Sequence, residues 1–142
     1  MNELRSRAIR LLARREHTRA ELAKKLAPHG TQEEMASVLA DLERNGLLSD
    51  ARAAAAYVRG HAARFGAARL RQALRNKGVA GELIEEQVTE LPQEIDRARA
   101  IWTRKFGVAP ADAHEWAKQA RFLQSRGFAT DVIRRLLKEP ME

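Results

Sequence analysis

Apolar residues recur along this chain at steps of three and four, the period of a buried helix face. In "TDVIRRLL" (130–137), Val132, Ile133, Leu136 and Leu137 fall on one face. In "FGAARLRQALRNKGV" (65–79), Leu70 and Leu74 are four apart and make an inner stripe, with Arg71 and Arg75 one position round and facing out. Alternating β-branched runs are missing, so no sheet is expected. The pattern predicts nine helices, over 3–15, 18–28, 32–45, 51–64, 67–77, 81–91, 93–106, 111–126 and 131–138.

Helix ends carry their own signals. Thr18 with Glu21, and Thr31 with Glu34, fit the Ser/Thr-x-x-Glu capping box. Thr130, followed by Asp131, is the expected N-cap of the last helix. Pro92, Pro110 and Pro140 punctuate starts and ends. Gly30, Gly78 and Gly127 each follow a helical pattern and read as left-handed C-terminal stops.

Those three glycines also reveal a repeat, with spacings of 48 and 49 residues. Four residues before each stands a leucine: Leu26, Leu74, Leu123. Apolar residues follow at five (Met35, Leu83, Val132) and at ten (Ala40, Val88, Leu137). Self-similarity at this period signals an array of units that bury their apolar faces together. The expected class is all-α, three tandem three-helix repeats spanning 1–50, 51–92 and 93–142. The third has a longer middle helix, with "GVAPADAHEW" (107–116) inserted before it.

Composition agrees with a folded, helical chain. Apolar residues make up 44% and charged residues 32% of its 142 positions, with no cysteine. Disulfides, thiolate metal sites and thiol nucleophiles are therefore excluded. No apolar run approaches the 18 or so residues of a membrane span, and "MNELRSRAIR" lacks the apolar stretch of a signal peptide. A cytoplasmic location is expected.

Charge adds a functional direction. The net charge is +7, with nine basic against eight acidic residues in 1–50, seven against four in 51–92 and ten against seven in 93–142. Such a balance favours polyanions or acidic protein surfaces as partners. Basic residues recur at related places in the three units: Arg14, Arg15, Lys24 and Lys25; then Arg69, Arg71, Arg75 and Lys77; then Arg121, Arg126, Arg134 and Arg135. Each alone reads as a solvated side chain. Together they are the candidate contact residues of a continuous basic face.

Catalytic chemistry finds little support. His17, His29, His61 and His114 show no i, i+4 pairing and no H-E-x-x-H. His17, before a capping threonine, reads as a surface residue at a helix junction. The serines stand outside any G-x-S-x-G, and no phosphate-binding G-x-x-x-x-G-K-[ST] loop is present. Asp41 with Glu43, and Glu85 with Glu86, read as solvated helix faces. No catalytic residue, metal site or cofactor is expected, and the chain does not read as an enzyme. Trp102 with Phe106, and Phe122 with Phe128, are weighed as stacking platforms for bases, but packing in an otherwise alanine-rich third core is the stronger reading.

At this point the residues carry a resemblance. "RLLARREHTRAELAKKL", "RFGAARLRQALRNKGV" and "RFLQSRGF", in that order, resemble the RecX regulatory proteins over nearly the whole chain. The middle string is the most specific, in Gly66, Arg69, Leu70, Leu74, Lys77, Gly78 and Val79. Ala51 and Ala53 depart from the family pattern, which usually has an acidic residue and then an aromatic there. The resemblance implies an elongated array of three-helix repeats that binds the RecA filament on DNA. It implies inhibition of RecA ATP hydrolysis and strand exchange, and so a role in recombination, DNA repair and the SOS response. The implied partners are the RecA filament and single-stranded DNA held without sequence preference, with no membrane and a monomeric chain.

Two alternatives compete. "HTRAELAKKLAPHGTQEEMASVLADLERNGLL" (17–48) also reads as the helix-turn-helix of a winged-helix transcription regulator. A β-hairpin wing should then follow, whereas "SDARAAAAYVRGHAARF" is alanine-rich and helical by propensity. A scaffolding repeat without nucleic-acid contact would leave the basic stripes incidental.

Overall fold

Both capping boxes form. Thr18 Oγ1 accepts from the Glu21 N–H at 3.0 Å while the Glu21 carboxylate accepts from the Thr18 N–H at 3.0 Å. Thr31 and Glu34 repeat the exchange at 3.1 and 2.9 Å. Two of the otherwise orphaned N–H groups at each start are thereby satisfied. The structure, a computed structural model, describes residues 3–138. Among them lie nine α-helices and no strand: α1 Glu3–Arg14, α2 Arg19–Leu26, α3 Gln32–Arg44, α4 Asp50–His61, α5 Ala67–Asn76, α6 Gly81–Thr89, α7 Glu94–Lys105, α8 Ala113–Ser125 and α9 Thr130–Leu137. The expected ends hold to within three residues. Pro140 lies outside the described residues.

Two helix ends differ from expectation, each for a physical reason. Gly30 is extended (φ −170°, ψ 174°), not left-handed. Pro28 converts the end of α2 into a short 3₁₀ turn, Ala27–His29, which needs no left-handed residue to close it. The chain instead uses Gly46, Gly78, Gly107 and Gly127 at positive φ. At Gly78 and Gly127 the next residue's N–H returns to the leucine four positions before the glycine, Leu74 at 3.1 Å and Leu123 at 3.2 Å. The last helix is capped by Ala129, and Thr130 is its first residue. Asp112, inside the inserted segment, caps α8 by accepting from the Glu115 N–H at 2.8 Å.

The chain forms two compact units. Among the described residues, one is built from 3–57 together with Leu74–Ile84, the other from Val58–Ala73 together with 85–138. In the first, α1, α2 and α3 enclose Leu4, Ala8, Leu22, Leu26, Leu39 and Leu42. In the second, α7 and α8 both pack on α9 around Ala98, Ile101, Leu123, Phe128, Ile133 and Leu137. Trp102 and Phe122 pack against that core, and Phe106 meets Phe122 edge-on at 5.5 Å, as the packing reading requires. The leucines that mark the repeat, Leu26, Leu74 and Leu123, are all fully buried.

Within the second unit, the segment after α4 is held by arginines from α7. Arg97 Nη2 donates to the carbonyls of Ala62 (3.0 Å) and Phe65, and Arg104 Nη2 to that of Ala63 at 2.7 Å. Gly66 and Gly127 meet backbone to backbone. The Gly66 N–H donates to the Arg126 carbonyl at 2.6 Å and the Ala68 N–H to the Gly127 carbonyl at 3.2 Å.

Candidate polyanion-binding surface

The basic residues divide sharply once the carboxylates around them are placed. In the first unit, Glu21 stands between two of them. Arg15 Nη2 lies 3.2 Å and Lys77 Nζ 3.1 Å from its Oε2. Burial raises the cost of charging Glu21, yet the Thr18 N–H, Arg15 and Lys77 outweigh it and hold the carboxyl at about 2. Thr18 Oγ1 donates to the Lys77 carbonyl at 2.6 Å, and the Lys77 ammonium sits 5.2 Å from the Tyr57 ring centroid. Lys77 and Arg15 are thus both ion-paired with Glu21, Lys77 partly buried and Arg15 exposed.

Lys25 is committed differently. Its Nζ lies 2.9 Å from His17 Nε2, while His17 Nδ1 lies 3.0 Å from the Arg15 carbonyl oxygen. An ammonium can only donate, so Nε2 accepts and Nδ1 carries the proton to the carbonyl. His17 is 1% exposed. The expectation of a surface residue is therefore corrected: the imidazole fills the α1–α2 junction and buries because both ring nitrogens find partners. Burial first, then the charges of Arg15 and Lys25, push its pKa below the usual value, against the opposing pull of the Arg15 carbonyl and Glu21. Arg14 and Lys24 are exposed, with no ion pair among the described residues, and Arg75 is exposed.

In the second unit the cations stand on aromatic rings. Arg69 lies 3.9 Å from the Phe65 ring centroid and donates to the Ser125 carbonyl at 3.1 Å. Arg126 and Lys105 approach the Phe122 ring at 5.0 and 5.4 Å. Arg71 grips Glu85 with two hydrogen bonds, at 2.9 and 3.1 Å. The expected solvated stripe is corrected at that position, because Glu85 is an ion-pair partner and Arg71 is half-buried. Asp41 and Glu43 are ion-paired too, with Arg5 and Arg19. Arg121, Arg134 and Arg135 are exposed on α8 and α9. Sequence reasoning missed Lys105 and Lys118, both exposed. The signal for Lys118 was its spacing of three from Arg121, which places both on one helix face.

Among the described residues, no group of three or more His, Cys, Asp or Glu is placed to hold a metal ion. No helix there is long and apolar enough to cross a membrane. A β-hairpin wing is also missing, since α4 occupies the segment where it would have to stand.

Comparison with known proteins matches this architecture. Three family models, described as the first, second and third three-helix domains of RecX, match residues 5–42, 49–86 and 93–137 in that order. The chain belongs to the RecX family. A protein named Regulatory protein RecX from Leptothrix cholodnii is 50% identical over 137 residues, covering 95% of this chain and 87% of that relative. One of the same name from Halorhodospira halophila is 45% identical, covering 92% and 84%. The crystal structure of RecX from Lactobacillus salivarius aligns with a TM-score of 0.80 at 17% identity, covering 96% of this chain and 93% of that one. At that identity the likeness speaks for the shared fold.

The buried His17 and the partly buried Glu21 predict acid sensitivity in this chain. A lowered histidine pKa means His17 contributes its full stability above its usual value of 6.5 and loses it as pH falls below that. Glu21, lowered from 4.5 to about 2, contributes fully above 4.5 and loses it toward 2. After screening at its partly open position, Glu21 is worth about 1–2 kcal/mol. Urea midpoints are expected to drop as pH falls from about 7 toward about 2, His17 acting first and Glu21 below about 4.5. Glu21→Gln should start lower and decline less steeply; parallel curves for the two proteins would refute this assignment.

Proposed function

We propose that the chain regulates RecA by binding the RecA filament on single-stranded DNA, with no catalysis of its own, and so restrains RecA ATP hydrolysis and strand exchange. What supports the reading is the ordered match of all three RecX domains along one chain. The proposed contacts are Arg14, Lys24, Arg75, Arg121, Arg134 and Arg135, all exposed, with the exposed Arg15, Lys25 and Arg69 beside them. Arg15, Lys25, Arg69, Arg71, Lys77 and Arg126 hold the framework that presents them. We place the action in the cytoplasm, with the chain a monomer of three sub-domains, 1–50, 51–92 and 93–142.

The physics of such regulation is multivalency. A filament repeats the same surface many times, so several weak contacts made at once raise the apparent affinity for polymer over free subunits. Basic side chains meeting acidic protein surface or phosphates supply fast, salt-sensitive association. Relatives that carry the name regulatory protein fit a binder of this kind.

The test is RecA ATP hydrolysis on single-stranded DNA with this protein titrated in. Hydrolysis and strand exchange should both fall, and Arg121→Glu with Arg135→Glu should weaken the effect several-fold while changing stability by no more than about 1 kcal/mol. If both activities continue unchanged at saturating protein, the reading is wrong. With about four phosphates engaged, log affinity for a plain single strand should fall against log salt with a slope near −3. A preference for one duplex sequence would instead indicate a transcription regulator.

A further inference from the structure

The arginines of α1 separate into two classes. Arg5 is ion-paired with Asp41 at 2.8 Å, and Arg15, just past the helix, with Glu21. Arg7, Arg10 and Arg14 are exposed and make no ion pair or hydrogen bond among the described residues. Their spacing of three and four puts all of them within one narrow stripe of the helix, spanning about 10 Å along its axis. At the N-terminal end of this stripe lies an open concavity of about 410 Å³, lined by Glu3, Leu4, Ser6, Arg7, Arg10 and, from the 3₁₀ turn, His29. Among the described lining residues, two guanidiniums, a hydroxyl and an imidazole face one space against one carboxylate, Glu3, which stands in the first turn of α1 where the helix dipole favours it.

We propose that this face of α1 is a phosphate track. Arg7 and Arg10, with Ser6 and His29, hold one phosphate of a single-stranded nucleic acid in the concavity, and Arg14 takes a following phosphate along the same strand. Such a track rests on the nucleic-acid part of the function proposed above. Guanidiniums with five forked donors and no internal acceptor suit phosphate oxygens better than a single carboxylate. The concavity is open and polar, so it offers no apolar pocket for a base; the track reads backbone and not sequence. It is independent of the cations on α8 and α9, and lies wholly within the first unit.

The experiment is fluorescence anisotropy of a labelled oligodeoxythymidylate against the full chain at several salt concentrations. Arg7→Ala, Arg10→Ala and Arg14→Ala are combined, since alanine preserves the helix. Affinity at low salt should fall roughly tenfold or more. The salt slope should become shallower by about 1.4, since two phosphates are no longer neutralised and each accounts for about 0.7. Replacement of the same three residues by lysine keeps the charge and should retain most of the slope; Ser6→Ala with His29→Ala should lower affinity two- to fivefold. Thermal melting of each variant checks the fold, and the lysine and Ser6/His29 variants carry the test if the alanine triple unfolds. An unchanged slope in a folded triple overturns the track. So does full oligonucleotide binding with lost RecA inhibition, which would assign the stripe to an acidic protein surface. Failure of the parent to inhibit RecA, with the slope change intact, would overturn the proposed function and leave the track standing.

Discussion

Gly66→Ala is expected to destabilise the second unit by about 3 kcal/mol or more, although it adds one methyl group. A Cβ at residue 66 would sit 2.5 Å from the Gly127 carbonyl carbon and 2.7 Å from the Phe128 nitrogen. Both are backbone atoms, so no side chain can swing away to make room. The two segments must separate, which breaks the Gly66 N–H bond to Arg126 and the Ala68 N–H bond to Gly127. Overpacking alone costs about 1–3 kcal/mol, and each buried group left without its partner costs a similar amount. Gly127 closes the same contact from the other side, at φ +95° and with Arg69 N 2.7 Å from where its Cβ would be. Gly60→Ala is the control, since a Cβ there meets nothing within 4 Å and the residue lies in α4. It should gain about 0.5–1 kcal/mol. Urea denaturation of the three proteins decides: equal midpoints for parent and Gly66→Ala would mean that the close approach does not exist.

Leu74→Ala is expected to cost about 2–5 kcal/mol, because a fully buried side chain is cut back and its cavity only partly collapses. Against a typical total of about 5–15 kcal/mol, that lowers the melting temperature by many degrees. Arg75→Glu, on the same helix but exposed, should cost less than that cavity. Arg71→Glu belongs with neither. Glu85 waits 2.9 Å from the Arg71 guanidinium, so the substitution sets two carboxylates together and costs about 1 kcal/mol. Calorimetry should place the loss for Leu74→Ala above that for Arg71→Glu and that for Arg75→Glu. A Leu74→Ala protein that melts like the parent would place this leucine outside the core.

What is legible in the chain alone is local physics. Capping boxes at Thr18 and Thr31 pair atoms three residues apart, so two residue types at one spacing suffice to identify them. Helix positions follow from the period of Leu70, Leu74, Ile133 and Leu137, because burial needs one apolar face whatever the partner. The repeat of leucine and glycine likewise marks Leu26, Leu74 and Leu123 as core residues. Gly30 misleads because the glycine signal is shared by left-handed and extended stops, and the neighbouring Pro28 decides between them.

Tertiary structure alone decides which cations are spent. Arg15 and Lys77 meet at Glu21 from 6 and 56 residues away, and Arg71 meets Glu85 across 14. His17 is buried because Lys25, eight residues on, supplies its second hydrogen bond. Arg7, Arg10 and Arg14 look like their neighbours Arg5 and Arg15 in the sequence, and only the positions of Asp41 and Glu21 tell them apart. Helical periodicity is set by contacts within one turn, so a sequence displays it directly. Ion pairing depends on which distant carboxylate the packed core brings within 4 Å, and that distance exists only once the chain has folded.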